Sequence, residues 1–255
     1  MSSSRRLRAA GPRIAPEAVL RPVVGTERRL GAALIVASVA FLACIAAMVV
    51  AMGLASPAPG LSEQLVTDPD LLAYRAPFIP ASLLAPAFVT MLVLLVWVRG
   101  EGVGAREAVA LLVLPAYVVC SSIAYVSQYA ALPRLVELGP AEAAAWYFQD
   151  TRSIPYVLDL LGYVFLGIAA CLLGVGFLDR DRTWRWLGWF LLLCGGASIA
   201  AFGALALGAE AFTSVLTWTS AVLTVPVAGL AIALGVRLRR SPPPALDLEH
   251  AELWA

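Results

Sequence analysis

The chain has 255 residues, of which 61 % are hydrophobic and 14 % charged. That is too little polar cover for a soluble domain of this size, so lipid is the expected solvent for most of it. All 18 positive charges are arginine, the net charge is +1 and the lone histidine is His250; lysine Schiff-base chemistry, a G-x-x-x-x-G-K-[ST] phosphate loop and paired-histidine haem or metal ligation are thereby excluded.

An apolar helix of about 20 residues crosses the roughly 30 Å hydrocarbon core of a bilayer. Residues 1–29 are an arginine-rich tail holding Arg5, Arg6, Arg8, Arg13, Arg21, Arg28 and Arg29, a cluster that sets topology and is drawn to anionic headgroups. The first predicted span, Leu30 to Gly53, is too long for a secretory h-region and is expected to remain as a helix. A long loop with Arg75, Pro77 and Pro80 leads into the second span, Ile79 to Val98, where Trp97 beside Arg99 fits an interfacial belt.

The third span, Ala108 to Ala131, contains Pro115, which can kink it, and a polar stripe toward its far end. Ser121, Tyr125 and Gln128 recur at i, i+4 and i+7, and Ser122, Tyr125 and Tyr129 run nearly parallel to them. Between Arg134 and Arg152, Gly139 and Pro140 open a helix signature that ends in Trp146, Tyr147 and Phe148. This pattern suits an interfacial helix or, more sharply, a lid over a polar site.

The fourth span, Pro155 to Leu178, carries Asp159 about one turn inside its end. Tyr156 at i−3 and Tyr163 at i+4 share its helical face, and Gly162 permits a neighbour to approach closely. An ionisable group inside a span is a functional candidate by default. Facing stripes on the third and fourth spans would form an external-side vestibule of Asp159, Tyr156, Tyr163, Tyr125, Gln128 and Tyr129, with Arg134, Arg152 or Arg75 as candidate partners of the carboxylate.

Trp184, Trp186 and Trp189 follow Asp179, Arg180, Asp181 and Arg182 and read as interfacial anchors of the fifth span, Trp186 to Gly208. Small-xxx-small spacing of Gly196 with Ala200, and of Ala204 with Gly208, predicts a tight helix contact within the fold or between copies. Glu210 marks a tight turn into the sixth span, Ala211 to Val236. Its hydroxyls Thr213, Thr217, Ser220 and Thr224 are expected to bond back to their own helix or to glue it to a neighbour. Residues 237–255 form a Pro-rich acidic tail with Asp247, Glu249 and Glu252.

All arginines except Arg75, Arg134 and Arg152 fall on one side of this arrangement, which places both termini in the cytoplasm. The expected fold is therefore all-α: a polytopic membrane bundle of six transmembrane helices over residues 30–236, flanked by cytoplasmic tails. Cys44, Cys120, Cys171 and Cys194 lie in four different spans with no C-x-x-C pair and read as small apolar packing.

Leu161, Gly162, Tyr163, Phe165, Leu166 and Gly167, followed by Arg185, Trp186, Leu187 and Gly188, give the stretch Tyr156 to Gly208 a resemblance to uncharacterised six-pass bacterial integral membrane proteins of the domain-of-unknown-function type. The resemblance covers about a fifth of the chain and implies a multi-pass bacterial inner-membrane protein without supplying an activity.

Two functions remain open at this point. One is binding or transport of a small amphipathic ligand or lipid at the vestibule. The other is a structural or regulatory subunit that docks a partner through Gly196, Ala200, Ala204 and Gly208, as a homo- or hetero-oligomer. Enzymatic activity ranks below both, because no nucleophile, metal set or cofactor fingerprint accompanies the carboxylate and phenols. The expected partners are the lipid bilayer and that ligand or subunit; no cofactor, metal or nucleic acid is expected.

Overall fold

Continuous apolar runs leave the backbone no water to bond, and in lipid only helices satisfy it segment by segment. The computed structural model describes residues 24–240, so residues 1–23 and 241–255 of the two expected tails, His250 included, lie outside the described residues. Within them the elements are α1 (Val24–Ala55), α2 (Leu61–Thr67), α3 (Leu72–Arg75), α4 (Phe78–Arg99), α5 (Ala105–Ala130), α6 (Leu132–Leu138), α7 (Pro140–Ala144), α8 (Ile154–Phe177), α9 (Arg182–Ala206) and α10 (Glu210–Arg240). Six helical stretches are long and apolar enough to cross a membrane, and no strand occurs among the described residues.

The helix ends explain where the spans depart from their apolar runs. Polar turns extend α1 back to Val24, and α10 continues to Arg240 with Arg237, Arg239 and Arg240 in its last turn, where cations suit the helix dipole. Asp181 starts α9 ahead of the apolar run, its side chain accepting from the N–H groups of Thr183 and Trp184. Between α9 and α10 only Leu207, Gly208 and Ala209 intervene, and the φ of +74° at Gly208 is the left-handed conformation that glycine adopts freely.

Consecutive spans pack as neighbours, α1 on α4, α4 on α5, α5 on α8, α8 on α9 and α9 on α10, and α10 then returns to α1. The six helices close a ring. Its interior is apolar, with Phe41 and Phe88 at a 4.9 Å centroid distance and Met91, Leu92, Leu166 and Leu191 among the wholly buried side chains. Outward-facing Leu54, Leu112 and Phe212 are exposed, as a lipid-facing surface requires.

Glycine pairs fix the tightest seams. A Cβ on Gly167 would lie 2.8 Å from the Gly195 carbonyl oxygen, and one on Gly174 would lie 2.8 Å from that of Gly188, so α8 and α9 touch backbone to backbone at two levels. Gly31 and Gly235 do the same where α1 meets α10. The small-residue contact expected at Gly196 and Gly208 is not made within the fold, for no atom lies within 4 Å of a Cβ placed on either.

One end of the bundle carries both described chain ends and the arginine-rich turns; it is called the arginine end below. The other, the cap end, is roofed by α2, α3, α6, α7 and their loops. Tyr74, Phe78, Leu132, Ala143 and Tyr147 form a second core there, separate from that of the bundle. The aromatic trio Trp146, Tyr147 and Phe148 follows the short α7 and turns inward into this core rather than lying outward as an interfacial belt. At the arginine end Trp184 is likewise buried, against Phe177 and beneath the guanidinium of Arg180, whereas Trp186 and Trp189 are exposed as expected of anchors.

Candidate functional site

Ser153 caps α8 by accepting from the Tyr156 N–H, and Pro155 sits in the first turn, so the helix begins early enough to carry Asp159 into the bundle. Asp159 is only 5 % exposed. One carboxylate oxygen accepts from the Ser121 hydroxyl at 3.0 Å and the other from the Tyr125 hydroxyl at 2.9 Å. Both donors come from α5, one turn apart on a single face. The helices approach this closely because of Gly162, whose Cβ would meet Ser121 Oγ at 3.0 Å and Cys120 Cβ at 3.1 Å.

Tyr163 completes the inner cluster, its ring 5.9 Å from that of Tyr117 on α5. No arginine among the described residues pairs with Asp159. Arg134 is exposed, Arg75 is half-buried, and Arg152 lies near Glu210 at 3.7 Å with its side chain in the open. The carboxyl is therefore held by hydroxyls alone.

Gln128 sits one layer higher with its amide fully occupied. Its oxygen accepts from the Tyr74 hydroxyl at 2.9 Å and the Phe148 N–H at 3.1 Å, while its nitrogen donates to the Ala124 carbonyl at 3.2 Å and the Ser127 hydroxyl at 2.8 Å. It fastens the roof to α5. Tyr129 turns away from Asp159 and donates to Ser82 of α4 at 3.4 Å. Tyr156 touches the roof instead, its ring meeting Phe148 edge-on at 5.8 Å.

Phe148, alone of the aromatic trio, packs on Phe78, Tyr125 and Tyr156, above the carboxylate layer. The roof is itself tied down. Both carboxylate oxygens of Asp68 accept from backbone N–H groups at the start of α3, and Tyr147 donates to the Ala58 carbonyl. Burial, together with the charge of Glu63, pushes the Tyr147 phenol up to about 12, so it is a donor at neutral pH.

On the α9–α10 seam, Ser198 and Ser220 hydroxyls meet at 2.6 Å and Ser220 also donates to the Cys194 carbonyl at 3.3 Å. Thr213, Thr217 and Thr224 bond back to carbonyls of their own helix. This is the glue and back-bonding expected of the hydroxyl stripe. All four cysteines are free thiols, and among the described residues no group of three His, Cys, Asp or Glu side chains is placed to hold a metal ion.

A second buried acid lies at the arginine end. Glu107 is 2 % exposed and pairs with Arg99, which also meets Glu101 at 3.3 Å; Arg106 approaches Glu107 at 3.7 Å, and Arg180 of the α8–α9 turn pairs with Glu101. Both carboxylates of this cluster have a cation, which sets Asp159 apart. The sequence signal for Glu107 was an acid beside Arg106 at the edge of an apolar run. No protein-family model, no curated protein and no solved structure matches this chain.

Proposed function

We propose that this chain is a multi-pass protein of the bacterial inner membrane that binds a small amphipathic cation at Asp159, beneath the aromatic roof. The observation that carries the reading is a buried carboxyl with two hydroxyl donors and no arginine partner among the described residues. An ionised carboxylate accepts about four hydrogen bonds, and inside a bundle it requires a counter-charge. The faces of Phe148, Tyr125 and Tyr156 nearby suit the same guest through cation–π attraction.

The proposal includes kinship with six-pass bacterial membrane proteins and an orientation with the arginine end in the cytoplasm; the arginine distribution supports the latter. Its test is thermal unfolding in lipid discs with a panel of small hydrophobic cations, lipids and quinones, wild type against Asp159→Asn. A ligand at 100 times its dissociation constant adds about 2.7 kcal/mol. Stabilisation by cations in wild type but not in the variant is the expected result; equal stabilisation of both, or of neither, removes Asp159 from the function.

A second reading, a membrane subunit that docks a partner helix, draws on one observation. Gly196, Ala200 and Gly203 are exposed on one face of α9, and no atom of the described residues crowds the two glycines. Ala204 is half-buried and Gly208 lies in the turn, so the face differs from the one the sequence spacing suggested.

A further inference from the structure

At the arginine end, a groove of about 650 Å³ runs along the outside of α9. Its rim is formed by Arg180, Asp181, Arg182 and Arg185 and its wall by Trp186, Trp189 and Leu193. Arg182, Arg185, Trp186, Trp189 and Leu193 recur at i, i+3, i+4, i+7 and i+11, one stripe of a single helix. Over that stripe the chemistry changes from guanidinium to indole to aliphatic within about 16 Å. That is close to the half-thickness of a bilayer's hydrocarbon core, about 15 Å. We propose that this groove binds one anionic glycerophospholipid, its phosphate on Arg182 and Arg185 and an acyl chain along Trp186, Trp189 and Leu193.

The rim is electrically unbalanced in the way an anion requires. One oxygen of Asp181 caps α9 and the other accepts from Arg237 at 2.6 Å, so its charge is spent. Arg180 is drawn aside to Glu101 and lies over the Trp184 ring at 5.4 Å. Arg185 is pinned by donating to the carbonyls of Leu178 and Arg180, which fixes its guanidinium in place with donors to spare. Arg182 is exposed and makes no side-chain hydrogen bond or ion pair with the described residues. Two guanidinium groups, one preorganised and one free, match a phosphodiester's planar pairs of acceptor oxygens. Trp186, Trp189 and Leu193 are each about half exposed, a ready surface for a chain that lies against the helix instead of wandering in bulk lipid.

The test is native mass spectrometry of full-length protein released from vesicles holding equal parts phosphatidylcholine and phosphatidylglycerol. Wild type should retain phosphatidylglycerol over phosphatidylcholine. The double variant Arg182→Gln/Arg185→Gln should lose that preference by about thirty-fold, since each near-surface arginine is worth about a factor of five. Arg182→Gln alone breaks no hydrogen bond or ion pair among the described residues, and should lose about five-fold even if the double variant fails to fold. Inorganic phosphate, added to protein in a neutral detergent, separates the lipid from a free anion. The proposal is overturned if the variants retain phosphatidylglycerol as wild type does, if wild type shows no preference, or if free phosphate stabilises the protein as strongly as phosphatidylglycerol.

Discussion

Asp159 and Glu107 are both buried carboxyls, but their surroundings assign them different roles. Glu107 has Arg99 and Arg106 at hand and ties the end of α4 to the start of α5. Removing one partner of such a pair strands the other in the interior, at a cost of about 3–5 kcal/mol. Glu107→Ala should therefore lower unfolding stability in detergent by about that amount, whereas Asp159→Asn, which leaves no cation behind, should change it by less than about 1 kcal/mol. A large loss in the second variant would make Asp159 a structural post.

The spacing of Tyr163 with Asp159 on one helix, and of Tyr125 with Ser121 on another, was visible in the sequence, because i to i+4 relations fix which side chains share a face. Which neighbour that face meets was not, so Gln128 and Tyr129, from the same stripes, proved to belong to the roof and to α4. Arg134 and Arg152 stayed outside for a simpler reason: nothing in a loop's sequence fixes how far its side chains reach.

Asp181 introduces a pH dependence. Burial alone would raise its carboxyl, but the hydrogen bonds from Arg237 and from the Trp184 and Thr183 N–H groups outweigh that and hold it below the ordinary carboxylate range. A lowered folded-state value gives stability that is complete above the unfolded value of about 3.9 and is lost as pH falls through the folded one. The carboxyl is partly exposed, so the whole effect is below about 1 kcal/mol. Asp181→Asn keeps a capping side chain and should flatten the fall in melting temperature below about pH 4; an unchanged acid limb would show that the Arg237 pair contributes nothing.

Helix seams tell which small residues matter. Gly167 and Gly174 on α8, and Gly188 and Gly195 on α9, stand seven residues apart on antiparallel helices and meet in pairs. That interval was present in the sequence, but small-xxx-small spacing drew attention to Gly196, one residue away on the outer face. A single position, about 100° around a helix, separates a residue locked between backbones from one facing open surroundings. Gly195→Ala should cost about 1–3 kcal/mol, because its Cβ would sit 2.6 Å from the Gly167 carbonyl oxygen. Gly196→Ala should be neutral in the isolated protein within about 0.5 kcal/mol and weaken co-purification only if α9 docks a partner. Thermal unfolding of the two single variants checks the contrast.

The six spans were legible because length and apolarity alone select them. Of the roof only α7 was, through the start at Gly139 and Pro140; α2, α3 and α6 carry no comparable signal and meet the rest of the roof through contacts with Tyr74, Tyr147 and Gln128. Orientation across the membrane has its own expected outcome: in intact cells an impermeant thiol reagent should modify Arg134→Cys, at the cap end, and spare Arg240→Cys. The reverse pattern would place the roof in the cytoplasm.

The ring also sets an order of events during synthesis. The strand of chain bearing Ser121 and Tyr125 leaves the ribosome before the one bearing Asp159, so the hydroxyls stand ready in the bilayer when the carboxyl arrives beside them. No interval is required in which that acid faces lipid alone. The join between Gly31 and Gly235, by contrast, can form only when α10 has been made, so α1 waits with one flank open until the five later spans have followed it.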